Sequence, residues 1–148
     1  MKYSSGGLHL TEQFEGCRLK AYQDSKGVWT IGYGHTQYVT PGLTCTQEQA
    51  DTWLMEDIAW AETEVNRLVH VPLTQNEFDA LVDFTFNCGA GNFAHSTLLV
   101  LLNHNDHVKA ASEFQKWDRC GGVALPGLLK RRKAEAAMFL LNSTVKLS

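Results

Sequence analysis

The chain has 148 residues, of which 44% are hydrophobic and 20% are charged, and its formal net charge is -3 at pH 7. This length and composition are enough for a compact domain with a real hydrophobic core, and they exclude a largely disordered protein. The slight acidity gives no electrostatic reason to expect a nucleic-acid partner or an anionic membrane as partner.

The first eight residues contain one basic residue but no apolar run of signal-peptide length, and the longest apolar run, 98–102, is far too short to span a bilayer. We therefore expect that the protein is made in the cytoplasm and does not insert stably into a membrane. The four cysteines are widely scattered and form no C-x-x-C motif, so the sequence predicts neither a zinc site nor a redox motif. We expect free thiols at Cys17, Cys45, Cys88 and Cys120.

The first predicted helix ends close to Glu15. Leu8, Leu10 or Thr11, and Phe14 lie near helical spacing, and Gly16 is suited to end the helix. A rigid element would therefore hold the Glu15 carboxylate.

A β-hairpin is predicted next. The runs 18–22 and 28–33 favour strands, and the loop between them has Asp24 and Gly27 where a tight turn needs them. On the second strand Thr30 shares a nearly bare face with two glycines, which we interpret as the wall of a cleft that a ligand can approach. The remaining β candidate is a short strand at 38–39.

From residue 46 onward the pattern is helical. Apolar residues at helical spacing predict one long helix over about 46–69, which Pro72 ends. The next helix is apolar on more than one face, as in a buried core helix. The helix starts carry recognisable signals, namely capping residues at Thr46, Thr74, Ser96 and Asp106, and Pro126 in the first turn of the last helix.

The stretch 15–35 concentrates polar groups with catalytic potential, because it holds Glu15, Asp24 and Thr30. Hydrolysis of a glycosidic bond needs one carboxylic acid to protonate the leaving oxygen and a second polar group to hold or generate the attacking water. Two acids in different environments can divide these roles. We therefore interpret this stretch as the candidate site of a hydrolysis.

These residues resemble the motif of the phage-type lysozymes, glycoside hydrolase family 24. Family members carry a glutamate, an aspartate nine residues on and a threonine six residues later inside T-I-G-x-G-H, which matches Glu15, Asp24 and the run 30–35. Similarity continues over nearly the whole chain, at 86–89, 93–99, 125–128 and 131–132. Cys88 departs from the pattern, since an aliphatic residue is expected there.

The resemblance implies an α+β, mostly helical lysozyme-like fold in a single catalytic domain, 1–148. A small N-terminal lobe with the hairpin, about 14–45, would be joined by the long helix, about 46–69, to a larger all-helical C-terminal lobe, about 70–148. The first helix, 4–15, would pack on the C-terminal lobe.

The resemblance also implies an endolysin, a muramidase that hydrolyses the β-1,4 bond between N-acetylmuramic acid and N-acetylglucosamine in bacterial peptidoglycan for host cell lysis. Glu15 would be the general acid, Asp24 would hold the water and stabilise positive charge on the sugar, and Thr30 would bond the same water. The outcome would be inversion, with no cofactor and no metal. The substrate would contact Gly32, Tyr33 and Gly34.

Two further features concern supporting residues. Asp57 falls on the apolar stripe of the long helix, where a carboxylate needs a partner. The resemblance implies that this partner is His35, since the family pairs a histidine at this motif position with an acid on the long helix. It also implies that Arg131 or Arg132 lies near Glu15 across the cleft.

The family resemblance implies a holin that releases the protein from the host cytoplasm to the periplasm and the cell wall. We expect a monomer whose partner is peptidoglycan. Two alternatives stay open. A lytic transglycosylase uses the sugar's own hydroxyl as nucleophile, which would leave Asp24 and Thr30 without a function, and a non-catalytic wall-binding module would not clear cell walls.

Overall fold

The computed structural model describes residues 1–120 and 122–141, without the side chain of Cys120. The described residues form α-helices, one 3₁₀ helix at Phe114–Lys116 and two small antiparallel sheets. The helices are α1 (Ser5–Glu15), α2 (Gln47–Leu68), α3 (Gln75–Cys88), α4 (Ala90–Ala94), α5 (Thr97–Asn103), α6 (His107–Glu113) and α7 (Pro126–Leu140). The strands are β1 (Arg18–Gln23), β2 (Trp29–Gly32), β3 (Arg119–Cys120) and β4 (Val123–Ala124). This mostly helical α+β architecture confirms the predicted fold class.

The chain divides into two compact units. The hairpin unit is Leu8–Ala59, and the helical unit is Met1–Gly7 together with the chain from Trp60 onward. Both α1 and α2 contribute residues to each unit. The candidate residues from Glu15 to Asp57 therefore all belong to the hairpin unit.

The predicted hairpin is present. β1 pairs antiparallel with β2, with Tyr22 opposite Thr30 and Gln23 opposite Trp29, and the register shifts before Arg18 pairs with Gly32. The turn begins at Asp24, whose backbone N–H donates to the Val28 carbonyl at 2.9 Å. Local turn chemistry thus forms the hairpin as the sequence predicts.

The prediction of a short strand at 38–39 is wrong. Tyr38 has φ 61° and is 89% exposed, and such a backbone conformation does not continue a strand. The other edge of β1 pairs instead with residues 43–45, through a bridge between Lys20 and Thr44 and a 2.9 Å bond from Cys45 N to Leu19 O.

The expected bare face of β2 is also wrong. Thr30 is only 4% exposed, and Gly32 packs closely against α2. A Cβ at Gly32, where φ is 65°, would lie 3.3 Å from the Cβ of Ala50. Gly32 therefore lets the hairpin approach the helix closely, which is a packing requirement of the fold.

The helical unit is built around α3, which packs against α7. Phe84 of α3 is fully buried and makes edge contacts with Phe93, Phe114 and Trp117, at ring-centroid distances of 6.1, 5.5 and 5.6 Å. Such edge-to-face pairs stabilise a core beyond the area they bury. The predicted buried core helix is therefore present.

The predicted helix starts are confirmed. Thr74 forms a full capping box with Glu77, since its hydroxyl accepts from Glu77 N at 3.1 Å and its N–H donates to Glu77 Oε1 at 2.9 Å. Side-chain caps also begin the other predicted helices, at Thr46, Ser96 and Asp106, and Pro126 lies in the first turn of α7.

The prediction of an all-helical C-terminal lobe needs one correction. A two-residue hairpin, β3–β4, precedes α7, with Arg119 opposite Ala124, and the Arg119 guanidinium donates to the Gly122 carbonyl at 3.1 Å. The region after α3 forms the short helix α4. Strands of two residues are too short to give an alternating pattern in sequence. Gly121 lies outside the described residues.

Three of the four predicted free thiols, Cys17, Cys45 and Cys88, are free. The side chain of Cys120 lies outside the described part of the structure. None of the helices in the described residues is long and apolar enough to cross a membrane.

Candidate active site

Glu15 is the last residue of α1 and is half-buried. The helix closes with a 3.3 Å bond from Gly16 N to Glu12 O. A Cβ at Gly34, where φ is 88°, would lie 3.9 Å from Glu15 Oε1. The backbone after β2 therefore passes directly beside this carboxyl group, in a conformation that favours glycine.

Asp24 is held by the turn that it begins. Its Oδ1 accepts from Lys26 N at 2.8 Å and from Val28 N at 2.9 Å. Every hydrogen bond that the described residues make to this carboxylate goes to Oδ1, which leaves Oδ2 for a water molecule. The two backbone donors fix the orientation of the side chain and satisfy part of its charge.

Thr30 is buried in β2, opposite Tyr22. Its hydroxyl donates to the Val28 carbonyl at 2.9 Å. Because the single hydroxyl proton is used in this way, Thr30 Oγ1 can bind a water only as an acceptor.

His35 and Asp57 lie together in the hairpin unit. His35 Nδ1 is 2.8 Å from Asp57 Oδ2, and the buried imidazole stacks on Trp53 with ring centroids 4.6 Å apart and planes only 4° apart. The backbone of His35 exchanges two 2.9 Å hydrogen bonds with Ile31. These contacts fix the segment that follows Gly34.

Tyr33 was expected to contact the substrate. Its hydroxyl accepts a 2.9 Å hydrogen bond from Gln47 Nε2, at the start of α2. Burial raises the pKa of Tyr33 to about 12. The phenol is therefore protonated throughout the physiological range, and its substrate contact stays a prediction.

Arg131 and Arg132 are both buried in the helical unit. Arg131 makes a bidentate pair with Asp83, from Nε to Oδ2 at 2.9 Å and from Nη2 to Oδ1 at 2.8 Å. Arg132 donates to Asn87 Oδ1 at 2.6 Å, and its Nε lies 2.8 Å from Glu135 Oε1. The approach of either arginine to Glu15 stays a prediction.

Sequence reasoning missed Asp83 and Glu135, which complete this buried charge cluster. Both side chains are fully buried. Burial, followed by the hydrogen bond to the Asp83 carboxylate, raises the pKa of Glu135 well above its ordinary value. The signal was available for Asp83, since it lies on a helix that is apolar around most of its surface, where a carboxylate needs a partner.

The hairpin unit thus holds one carboxyl group at a helix end, another oriented by a turn, and a hydroxyl on β2. These are the functional groups that acid-assisted attack of water on a glycosidic bond requires. Within residues 1–120 and 122–141, no group of three or more His, Cys, Asp or Glu side chains could hold a metal ion. Fold and site together define a glycoside hydrolase of the lysozyme class.

Comparison with known proteins gives the family. The model of the phage lysozyme family matches residues 12–135, and the chain belongs to that family. It is 48% identical over 143 residues to an endolysin of Acyrthosiphon pisum secondary endosymbiont phage 1, covering 94% of this chain and 98% of that protein. It is 43% identical over 145 residues to an endolysin of Salmonella phage P22, covering 95% and 99%.

Comparison with solved structures gives the same family. A crystal structure of a P22 lysozyme mutant superposes with a TM-score of 0.90 at 43% identity, and the muramidase domain of SpmX from Asticaccaulis excentricus with 0.88 at 41%. Each comparison covers 95% of this chain and 99% of the other. The resemblance read from the motifs is confirmed, and the chain is a phage endolysin with a lysozyme-type hydrolase activity.

Proposed function

We propose that the chain cleaves the β-1,4 bond between N-acetylmuramic acid and N-acetylglucosamine in peptidoglycan, with Glu15 as general acid and Asp24 as the group that holds and deprotonates water. The observation that carries this proposal is the different setting of the two carboxyl groups. Glu15 ends a helix beside the bare backbone of Gly34, whereas Asp24 has two backbone N–H donors on one oxygen.

The reaction balances with these groups alone. Glu15 gives its proton to the glycosidic oxygen as the bond from that oxygen to the muramic acid C1 breaks. A water molecule bound between Asp24 Oδ2 and Thr30 Oγ1 attacks C1 and passes a proton to Asp24. Glu15 is left ionised and Asp24 protonated, and exchange with solvent restores both.

Attack by a water on the face opposite the leaving group inverts the configuration at C1. We expect the two carboxyl groups to stand roughly 6.5 to 9.5 Å apart, the separation of inverting enzymes. Thr30 supports this role because its hydroxyl donates a hydrogen bond to Val28 O, so its oxygen can accept a hydrogen bond from the water and orient it.

The substrate contacts at Gly32, Tyr33 and Gly34 and the approach of Arg131 or Arg132 to Glu15 belong to the same proposal. So does the route to the wall, in which a monomer made in the host cytoplasm reaches the peptidoglycan after a holin opens the membrane. These parts rest on the family resemblance.

The test uses Glu15→Gln, which keeps the shape of the side chain but cannot donate the proton, with Glu56→Gln as the control at an exposed carboxylate on α2. General acid catalysis contributes roughly 100- to 10,000-fold, so clearing of purified cell walls should fall by that factor with little loss of stability. A Glu15→Gln variant that keeps more than about a tenth of wild-type turnover contradicts the assignment.

Product analysis distinguishes the alternatives. Mass spectrometry should find reducing muramic acid ends, whereas a lytic transglycosylase would leave 1,6-anhydro ends. Proton NMR during turnover should detect the inverted α-anomer first. A non-catalytic wall-binding module would clear no walls and release no products.

A further inference from the structure

Two of the free thiols, Cys17 and Cys45, belong to the hairpin unit. Cys17 directly precedes β1, and Cys45 lies in the segment before α2 that pairs with the other edge of β1. Both side chains are half-buried, and the proposed reaction uses neither of them. Cys88 belongs to the helical unit, where it accepts a hydrogen bond from Arg132.

The register of the two segments follows from their backbone contacts. Lys20 lies opposite Thr44, and the Cys45 N–H donates to the Leu19 carbonyl at 2.9 Å. In an antiparallel pair each step forward along one segment is matched by one step back along the other, so Leu19 lies opposite Cys45. The same register, continued by two residues, places position 17 opposite position 47.

A side-chain contact supports this continuation of the register to Cys17. The Cys17 thiol donates to Gln47 Oε1 at 3.9 Å, which is the partner that the register assigns to it. Because side chains alternate between the two faces of extended chain, Cys17 shares a face with Leu19, and Cys45 lies opposite Leu19 on that face. The two cysteines are therefore diagonal neighbours across the pair of segments.

The separation of the pair is close to what a disulfide requires. Diagonal neighbours stand about 7–8 Å apart, and a disulfide needs Cα atoms within about 6.8 Å, so the pair must close by roughly 1 Å. Cys17 can move in this way because it lies outside β1 and follows Gly16, where an added Cβ would meet no atom within 4 Å. The charge of Cys17 acts after burial among the causes that raise the pKa of Cys45, as expected for neighbouring thiols.

We infer that Cys17 and Cys45 form an intramolecular disulfide, which stabilises the hairpin unit, when the folded protein meets a disulfide oxidant such as oxidised glutathione. One cysteine loses its proton to solvent, and its thiolate attacks the oxidant, which forms a mixed disulfide and releases one glutathione thiolate. The other cysteine, as a thiolate, attacks the protein sulfur of the mixed disulfide and releases the second glutathione thiolate. The protein loses two electrons and two protons, and the oxidant takes them up as two molecules of glutathione.

The disulfide closes the loop 17–45, which carries Asp24 and Thr30. A crosslink over about 30 residues stabilises a fold mainly by restricting the unfolded chain. Thiols stay reduced in the cytoplasm, whereas disulfides persist in the periplasm. On the route proposed for this protein, the hairpin unit would therefore gain its crosslink after release from the cytoplasm.

The experiment treats the reduced, folded protein with oxidised glutathione at pH 8.5, because burial raises the pKa of both thiols and thiolate is the reactive form. Mass spectrometry should find a monomer that is lighter by two hydrogen atoms. Proteolysis without reductant should then give one pair of peptides, which joins Cys17 to Cys45. This readout needs no variant and therefore does not depend on the folding of one.

Serine variants test the assignment. Cys17→Ser and Cys45→Ser should form no intramolecular crosslink, whereas Cys88→Ser, the matched control in the helical unit, should form the same crosslink as the wild type. Oxidation should raise the melting temperature of the wild type and of Cys88→Ser by roughly 5–10 °C, and dithiothreitol should abolish the increase.

Four results overturn the inference. They are a mixed glutathione disulfide that persists on Cys17 or Cys45, a disulfide that includes Cys88 or Cys120, a disulfide-linked dimer, and a crosslinked protein with an unchanged melting temperature. None of these measurements uses catalytic activity, so their outcome is independent of the role proposed for Glu15, which Glu15→Gln tests.

Discussion

The contact between His35 and Asp57 should contribute measurably to stability. A hydrogen bond to a charged group such as a carboxylate contributes about 1.5 to 3 kcal/mol net. The side chain of His35 is 8% exposed but that of Asp57 is 32% exposed, so solvent screening keeps the contribution near 2 kcal/mol. Asp57→Ala also leaves the buried imidazole nitrogen without its partner, and we expect a total loss of about 2 to 3 kcal/mol.

Two comparisons make this prediction specific. Asp57→Asn offers His35 a neutral acceptor in the same place and should cost about 1 kcal/mol. Glu56→Ala removes an exposed carboxylate from the adjacent position on α2 and should change stability by less than about 0.5 kcal/mol. From the most to the least stable variant, the expected order is therefore Glu56→Ala, Asp57→Asn and Asp57→Ala.

Urea unfolding followed by circular dichroism gives the free energies, and thermal melts give a second reading. For a chain of this length 1 kcal/mol corresponds to about 2–4 °C, so Asp57→Ala should lower the melting temperature by roughly 5–10 °C. Equal stability of Asp57→Ala and Glu56→Ala would refute the argument, since the 2.8 Å contact would then contribute nothing.

Three further predictions concern the fold around the site. Gly32→Ala should lose more stability than Gly42→Ala by about 1–2 kcal/mol in urea unfolding, because both have positive φ but only Gly32 faces Ala50 at 3.3 Å; equal losses would contradict the packing. Glu135→Gln should gain stability relative to the wild type as pH rises above about 4.5, since a raised pKa makes the wild type lose stability on ionisation; thermal melts across pH with a constant difference would contradict this. Thr74→Ala should cost about 1 kcal/mol by loss of the cap on α3, also measured in urea, and an unchanged unfolding midpoint would contradict it.

The helix starts could be predicted because their determinants are local. Thr74, Ser96 and Asp106 each bond a backbone N–H only three residues away, so the information lies within one turn of sequence. The hairpin was predictable for the same reason, since Asp24 closes its turn with residues at most four positions on.

The features that were not predicted correctly depend on residues that are far apart in the sequence. The edge of β1 pairs with residues 43–45, and no short-range pattern says which later segment returns to it. The face of β2 looked bare because the residue against which Gly32 packs, Ala50, lies on α2. Asp83 and Arg131 are 48 residues apart, so only the need of a buried carboxylate for a partner could have indicated their pairing.

The candidate site was visible in sequence through the spacing of Glu15, Asp24 and Thr30, but the hydrogen bonds between Tyr33 and the start of α2 were not. Gln47 and Asp51 sit near the start of α2 and look like ordinary exposed helix residues in the sequence. The bonds from Gln47 Nε2 to Tyr33 Oη and to Asp51 Oδ1 appear only when the 33–34 segment and α2 are brought together.

The groups proposed for chemistry are also groups that the fold uses. Asp24 Oδ1 accepts the hydrogen bonds that close the hairpin turn while Oδ2 is left for water, and the Thr30 hydroxyl donates a hydrogen bond to the Val28 carbonyl while its oxygen can still accept one. Because backbone atoms take up part of the hydrogen-bonding capacity of each side chain, both side chains are oriented before a substrate binds. Catalysis benefits from such preorganisation, since no free energy is then needed to orient these groups in the transition state. The hairpin therefore supplies both the geometry of this part of the site and the rigidity that keeps it.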